Sequence, residues 1–208
     1  MLEGYEKDRD GVIKKIDVPT PAYDEEYVQK YYSTNGAIAE ELSCLRLGLL
    51  LGSLNQPVAK LLDIGYGNGG FLKRASKVIR DCYGYDVSPR FPLPENIKQV
   101  NNPSGEFYDV VTFFNSLEHI PNIDFINDLQ CRFVVITVPW CHYFSDNWFD
   151  SWKHRKPEEH IWHFNDESLT RFMNSKGYSI LHTSNVEDSL RGEPLGYPSY
   201  LTSVFKKG

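Results

Sequence analysis

Residues 63–70, which read DIGYGNGG, combine a carboxylate with closely spaced glycines. Because glycine has no Cβ, a ligand can approach the backbone closely at such a loop, and the string also fits the dinucleotide pattern G-x-G-x-x-G. Asp63 stands two residues before Gly65, at the end of a predicted buried strand. A carboxylate there is costly unless a cation or a hydrogen-bond donor accompanies it, so Asp63 favours a ligand that carries positive charge.

A second carboxylate, Asp86, closes the next predicted strand 21 residues after Gly65. An acid at this place can accept hydrogen bonds from both hydroxyl groups of a ribose. The position suits a nicotinamide dinucleotide as well as other nucleoside ligands. Asp86 alone therefore does not identify the ligand.

The string YDVVTFFNSLEHIPN, at residues 108–122, carries further polar residues directly after a predicted strand. His119 in this string heads three candidate general bases, and His160 and His163 follow later in the chain. Such a base is needed when a weakly acidic hydroxyl must lose its proton during a reaction. Each histidine has the alternative role of a structural residue in an aromatic-rich fold.

All four tryptophans fall within residues 139–164, which follow the predicted fifth strand at the ligand-binding edge of an open sheet. Two interpretations are open: a small separate aromatic core, or a lid that encloses a substrate and excludes water. A lid would offer Trp140 and Trp162 to the substrate. The KHRK string at 153–156 is either its solvated rim or a binding site for an anionic group.

Apolar runs separated by glycine and proline predict alternating strands and helices. The predicted strands are 58–65, 82–86, 97–100, 108–115, 132–138, 178–184 and 200–207. The predicted helices run from Asn35 to about Gly52, with Ile38, Leu42, Leu45 and Leu49 on one face, from Phe71 to Cys82, and from Asn165 to about Gly177. This order predicts an α/β protein with a mostly parallel sheet of seven strands, helices on both faces and an antiparallel last strand.

The composition is that of an ordinary globular domain, with 208 residues of which 41% are hydrophobic and 24% charged. We expect residues 1–22 to be a mobile or loosely docked arm and residues 23–208 to be a single domain, with 139–164 as its lid or insertion. The net charge of -6 disfavours nucleic acid as a partner.

No apolar run reaches the about 20 residues that span a bilayer, so no membrane association is expected. The four cysteines include no C-x-x-C pair, which predicts buried free thiols in a reducing cytoplasm. A cytoplasmic protein that acts on a small molecule is the expectation, and the oligomeric state stays open.

The residues Asp63-Ile-Gly65-Tyr-Gly67-Asn-Gly69 fit the pattern D-x-G-x-G-x-G. Together with LEHIPN at 117–122, they resemble the class I S-adenosylmethionine-dependent methyltransferases. The likeness extends over residues 23–206 and is greatest to small-molecule O-methyltransferases of the ubiquinone-biosynthesis type. It implies a Rossmann-like class I methyltransferase fold, S-adenosylmethionine as the cofactor and S-adenosylhomocysteine as its product.

The resemblance also implies roles for individual residues. Asp63 would contact the amino-acid end of the cofactor, Asp86 its ribose, and Asn115 with Ser116 its methionyl group. The implied cofactor-binding residues are Asp63, Gly65, Tyr66, Gly67, Gly69, Asp86, Val87, Asn115 and Ser116. N-terminal segments commonly fold over the site in this superfamily, so Tyr27 and Tyr31 join Trp140 and Trp162 as substrate-binding candidates.

Some relatives, including plant small-RNA 2′-O-methyltransferases, hold a divalent ion with the string E-x-x-E-H and a later histidine. Here Asn115 replaces the first acidic ligand. An amide is a weaker ligand for a hard cation, so the sequence favours no metal site. Glu118, His119 and His160 are the ligands of the alternative in which an ion assists.

The leading interpretation is an S-adenosylmethionine-dependent methyltransferase that methylates a hydroxyl of a small molecule, such as a sugar, nucleotide-linked or phenolic acceptor. One alternative is an NAD-dependent oxidoreductase, which explains GYGNGG but leaves Asp63 and LEHIPN without a purpose. Another is a non-catalytic cofactor-binding or scaffold protein that keeps this fold.

Overall fold

The computed structural model describes residues 2–19, 38–192 and 196–208, which form two β-sheets and the helices around them. The strands, numbered in chain order, are β1 (Tyr5–Lys7), β2 (Ile13–Lys15), β3 (Lys60–Ile64), β4 (Asp81–Tyr85), β5 (Ile97–Gln99), β6 (Phe107–Phe114), β7 (Gln130–Pro139), β8 (Trp162–His163), β9 (Tyr178–Ser184) and β10 (Tyr200–Lys207). The helices are α1 (Ala39–Leu54), α2 (Gly70–Ala75), α3 (Asp146–Ser151), α4 (Asp166–Ser175) and α5 (Asp188–Arg191), with 3-10 helices at Leu117–His119 and Ile123–Asp128. Among the described residues, no helix is long and apolar enough to cross a membrane.

The main sheet has seven strands in the order β5, β4, β3, β6, β7, β10, β9. Strands β3 to β7 pair in parallel, whereas β10 pairs antiparallel with both β7 and β9. The chain builds the sheet outward from β3 in one direction and from β6 in the other. Ligands of open α/β sheets bind outside the carboxyl ends of the strands at such a switch point. The predicted fold class is confirmed.

Helices cover both faces of this sheet, and successive residues of a strand contact opposite helical layers. Leu61 packs in the core that contains Leu50 of α1 and Leu72 of α2. Leu62, the next residue of β3, packs in the core that contains Leu169 of α4. Each central strand is therefore buried on both faces, as its continuous apolar sequence predicts.

Helix α1 ends where the sequence predicts, but it buries a different face. Leu45 and Leu49, which the predicted face includes, are only partly buried. The buried residues of α1 are Leu42, Ser43, Leu47, Leu50 and Leu54. The leucine-rich run at 47–51 offers several apolar faces, so packing against the sheet selects the one that is buried.

Helix α2 ends at Ala75, so the predicted helix from Phe71 to Cys82 is too long. Ile79 and Cys82 are buried as expected, but Ile79 lies in the turn after α2 and Cys82 lies in β4. Val78, which a continuous helix would bury, is 63% exposed. The apolar residues that resemble one helical face in the sequence thus belong to α2, to the turn after it and to β4.

Strands β1 and β2 form a hairpin within the predicted N-terminal arm. β2 pairs with β8, where Ile13 lies opposite His163. Tyr5 and Ile13 are buried in a small cluster with Phe149 and Trp152. These partners lie far along the chain, so the local pattern of the first 22 residues does not reveal the hairpin.

Candidate functional site

The glycine loop between β3 and α2 adopts the left-handed backbone that favours glycine. Gly65, Gly67 and Gly69 have φ angles of 78°, 56° and 73°. A Cβ at Gly65 would collide with the Ser116 side chain, and one at Gly69 would lie 2.8 Å from Leu93 Cδ2. Conformation and close packing together therefore require glycine at position 65, whereas at position 69 the left-handed backbone is the main requirement.

Asp63 lies at the end of β3 with only 3% of its surface exposed. Burial raises the pKa of its carboxyl to about 7, although a hydrogen bond from Thr112 and the charge of Arg46 act in the opposite direction. Thr112 Oγ1 donates this hydrogen bond to Asp63 Oδ1 over 2.7 Å. The carboxyl group also lines the main cavity. It is thus a buried acid to which a cationic ligand group would restore the charged form.

Asp86 directly follows β4 and holds the glycine loop in place. The Gly67 amide donates to Asp86 Oδ2 over 3.0 Å, and the Ser88 amide donates to Oδ1 over 2.8 Å. Burial raises the pKa of this carboxyl, and the two amide hydrogen bonds lower it. Val87, which is 71% exposed, lines the same cavity as Asp86.

Tyr66 also lines the cavity, but 95% of its surface is covered because its ring packs in the core on the α1 side of the sheet. A Cβ at Gly84 would lie 2.7 Å from Tyr66 Cδ1. The structure therefore gives Tyr66 a packing role in addition to its place at the cavity wall.

Asn115 and Ser116 follow β6 and close the cavity beside the glycine loop. Ser116 Oγ donates to the Ile64 carbonyl over 2.6 Å, which ties the end of β3 to this turn. Asn115 has a φ of 53°. Its amide oxygen, oriented to satisfy its neighbours, accepts from Arg46 Nη2 at 3.0 Å and from Arg191 Nη2 at 3.1 Å.

A buried ion cluster supports this turn, and the sequence did not reveal it. Arg46 Nε donates to Glu187 Oε1 over 2.7 Å, and Arg191 Nη2 donates to Glu187 Oε2 over 2.7 Å. Burial acts to raise the pKa of Glu187, but the two guanidinium groups hold it below its ordinary value. The available signals were an arginine within the apolar run of α1 and a Glu-Arg pair four residues apart.

Glu118, His119 and His160 meet at another part of the cavity wall. One ligand-capable atom of each lies within 4.8 Å of those of the other two. Burial lowers the pKa of His119 to about 4 and that of His160 well below its ordinary value. Burial raises the pKa of Glu118 to about 8. The structure thus brings together two of the three predicted bases and the predicted alternative metal ligands.

His163 does not join this group. It lies in β8 against the rings of Tyr5 and Phe149, with centroid distances of 5.6 and 5.1 Å, and is absent from the described lining of the cavity. Burial lowers its pKa to about 3. Its surroundings are those of a structural histidine.

The tryptophans predicted to contact a substrate also lie outside the described cavity lining. Trp140 stacks on His142 with a centroid distance of 5.3 Å, and Trp162 Nε1 donates to the Ile120 carbonyl over 2.8 Å. Both side chains are partly buried and pack against the main core, where Trp140 forms a β-bridge with Phe164. Tyr27 and Tyr31 lie outside the described residues.

The cavity that unites these groups has a volume of about 1300 Å³ and lies at the carboxyl ends of the parallel strands. Its wall includes the glycine loop, the two aspartates and the Glu118 group described above. Arg46 and Tyr200, which the sequence did not single out, line it as well, and so do Lys153, His154 and Lys156 of the KHRK string. Its size suits a nucleoside cofactor together with a second small molecule.

Comparison with known sequences gives one family match. The sequence model of a family described as a methyltransferase domain matches residues 37–183, well over half of the chain. A search of curated proteins gave no significant match.

Solved structures share the fold at low sequence identity. A magnesium protoporphyrin IX methyltransferase from Synechocystis PCC 6803, with bound S-adenosylhomocysteine, has a TM-score of 0.58 at 14% identity and covers 89% of this chain and 100% of its own. A 1,6-didemethyltoxoflavin-N1-methyltransferase from Burkholderia thailandensis has a TM-score of 0.59 at 15% identity and covers 98% of both chains. An S-adenosylmethionine-dependent methyltransferase from Clostridium acetobutylicum has a TM-score of 0.62 at 11% identity and covers 88% of this chain and 98% of its own.

Proposed function

We propose that this chain, which belongs to the family of methyltransferase domains, transfers a methyl group from S-adenosylmethionine to a hydroxyl of a small molecule. The cofactor is S-adenosylmethionine, which supplies an electrophilic methyl group on a sulfonium. A single observation carries the hydroxyl assignment: the cofactor-side aspartates and the Glu118 group line one cavity. The family match removes the support for an NAD-dependent oxidoreductase.

The residues at the glycine loop fit the cofactor. We infer that Asp63 receives the ammonium group of the methionyl end, because its buried carboxyl has only Thr112 as a hydrogen-bond donor among the described residues. Asp86 would accept the ribose hydroxyls, since each carboxylate oxygen can accept a second hydrogen bond beside the amide that it already holds. The backbone of Gly65 and Gly67 would pass beneath the nucleoside.

We infer that Arg46, which the sequence did not single out, also binds the cofactor. Its guanidinium lies at the cavity wall, and its charge acts on the Asp63 carboxyl. An arginine beside an aspartate suits the carboxylate and the ammonium group of one amino acid. This pairing supports a methionyl end seated between α1 and β3.

A hydroxyl acceptor is supported by the proton acceptors at the cavity wall. His119 Nδ1 lies 3.0 Å from the Glu159 carbonyl, an arrangement that places the proton on Nδ1 and leaves the lone pair on Nε2. A neutral amine needs no such acceptor, whereas a weakly acidic hydroxyl must lose its proton as the methyl group arrives. In-line displacement otherwise demands that the acceptor oxygen be aligned with the methyl group and the sulfonium.

The cytoplasm is the proposed location. All four cysteines are free thiols, and three of them, Cys82, Cys131 and Cys141, are buried, whereas Cys44 is exposed. Free thiols are typical of proteins in a reducing compartment.

The direct test is methyl transfer in a defined mixture. Purified protein is incubated with methyl-labelled S-adenosylmethionine and matched acceptors, each a phenol, sugar or nucleotide-linked alcohol, or the corresponding amine. We expect a labelled product whose new methyl group NMR assigns to oxygen. Methylation of the amines alone would overturn the hydroxyl assignment, and calorimetry that shows no binding of S-adenosylhomocysteine at millimolar concentration would overturn the cofactor site.

A further inference from the structure

We propose that Glu118, His119 and His160 bind one divalent transition-metal ion of the Zn²⁺ or Co²⁺ class at the cavity wall that follows β6. The three side chains offer one carboxylate oxygen and two imidazole nitrogens. This ligand set is typical of transition-metal sites that keep positions open for water or substrate.

Glu118 is the strongest indication of a cation. Its side chain is only 1% exposed, and neither carboxylate oxygen has a hydrogen-bond partner in another described residue. A buried carboxylate without a partner is costly, so side chains of this kind are found paired or bound to metals. The charges of Lys156, Arg191 and Arg46 act on Glu118, but none of these side chains donates a hydrogen bond to its carboxylate.

The two histidines present the correct nitrogen to an ion. His119 Nδ1 lies 3.0 Å from the Glu159 carbonyl, and His160 Nδ1 lies 2.8 Å from the His154 carbonyl. A carbonyl oxygen can only accept, so each Nδ1 carries the proton and each Nε2 has a free lone pair. A backbone carbonyl behind a histidine is the usual outer support of a metal ligand.

The ligands are also held together before an ion arrives. The Ile161 amide donates to the Glu118 carbonyl over 2.8 Å, and Trp162 Nε1 donates to the Ile120 carbonyl over 2.8 Å. These bonds join the segment after β6 to the segment that carries His160. His119 Nε2 lies 4.0 Å from Glu118 Oε1. Two ligands at 2.0–2.2 Å from one tetrahedral ion are about 3.4 Å apart, so a small side-chain movement would bring these two atoms to binding distance.

The ligands here favour a different ion from the hard cation that the E-x-x-E-H string and its later histidine would suit. Asn115, at the place of the first acidic ligand, accepts from Arg46 and Arg191 and is therefore unavailable to an ion. Two nitrogens and one carboxylate oxygen favour Zn²⁺ or Co²⁺ over Mg²⁺, which prefers oxygen ligands.

The inference deepens the proposed function in one respect only. An ion bound to His119 Nε2 would occupy the lone pair that otherwise accepts the proton, and its positive charge would instead lower the pKa of an acceptor hydroxyl beside it. This role rests on the proposed methyl transfer. The binding of the ion does not rest on it.

The test measures ion binding directly on untagged protein that has been treated with a chelator. Co²⁺ alone is titrated and followed by its visible absorption, and Zn²⁺ and Mg²⁺ are titrated by calorimetry. We expect one equivalent of Co²⁺ or Zn²⁺ to bind about 100-fold more tightly than Mg²⁺. Glu118→Gln and His160→Asn should each weaken Co²⁺ binding by about 10- to 100-fold or more, since each removes a ligand.

The matched control is His182→Asn, which removes an exposed histidine on β9 and should leave Co²⁺ binding unchanged. Failure of the wild-type protein to bind Co²⁺ or Zn²⁺, or equal binding by Glu118→Gln, would overturn the metal site. S-adenosylhomocysteine binding, measured on the same samples, reports separately on the proposed function.

Discussion

Asp63 and Thr112 face each other across the parallel strands β3 and β6, and Thr112 Oγ1 donates a 2.7 Å hydrogen bond to Asp63 Oδ1. This contact gives the buried carboxyl one donor, which does not offset its loss of water. Burial therefore keeps the pKa of Asp63 at about 7, above its ordinary value of 3.8. Thr112 and Arg46 do not fully offset the burial of Asp63, so a cationic ligand group would stabilise its charged form.

A first prediction concerns the pH dependence of stability. Between about pH 4 and pH 7 the folded ligand-free protein holds a proton on Asp63 that the unfolded chain has released. The free energy of unfolding should therefore fall as pH rises through this window, by up to about 1.4 kcal/mol per pH unit from this group. Urea unfolding of wild type and Asp63→Asn at pH 5 and pH 7 measures the contribution as a difference of slopes. Identical slopes would mean that Asp63 titrates normally.

A second prediction concerns Asp86. Its replacement by alanine should weaken binding of S-adenosylhomocysteine by about 1.5–3 kcal/mol, because charge-assisted hydrogen bonds to the ribose are lost. Asp86→Asn keeps one acceptor oxygen and should lose less. Calorimetry at pH 7.5 measures both affinities. An affinity of Asp86→Ala equal to that of wild type would remove Asp86 from the ribose site.

A third prediction separates collision from backbone strain in the glycine loop. Gly65 and Gly177 have similar φ angles of 78° and 81°, but an added Cβ would collide with Ser116 only at Gly65. Gly177→Ala should cost about 1 kcal/mol of stability, whereas Gly65→Ala should cost about 1–3 kcal/mol more and abolish cofactor binding. Denaturant unfolding and calorimetry give the two readouts. Equal costs would show that the loop shifts to admit the methyl group.

Much of the sheet could be predicted because its information is local. The strands β6 and β7 are continuous apolar runs, as strands buried on both faces must be. Asn165 accepts from the Ser168 amide over 2.7 Å at the start of α4, where the sequence predicts the helix to begin. Asp63 and the glycines that follow it likewise lie within a few residues of one another, so their sequence alone indicates a ligand-binding loop.

The unpredicted features depend on pairings between distant segments. Arg46 and Glu187 are 141 residues apart, and no periodic pattern connects them. Trp162 Nε1 donates to the Ile120 carbonyl, 42 residues away, and the sequence around Trp162 does not indicate this contact. The hairpin of β1 and β2 depends on the same kind of distant packing.

The last prediction concerns Glu187, which is fully buried between two guanidinium groups. Glu187→Gln would leave Arg46 and Arg191 facing each other without the carboxylate that offsets their charge. We expect a loss of about 3 kcal/mol or more in the free energy of unfolding, as when one partner of a buried ion pair is removed.

The matched control is Glu167→Gln, since Glu167 pairs with Arg171 at the same spacing of four residues but at side-chain exposures of 70% and 54%. Removal of this exposed pair should cost less than about 0.5 kcal/mol. Because Arg46 and Arg191 also donate to Asn115, Glu187→Gln should weaken S-adenosylhomocysteine binding, whereas Glu167→Gln should not. If both variants unfold at the same urea concentration, the cluster does not stabilise the turn, and the cofactor wall must be held by the Ser116 bond to Ile64 instead.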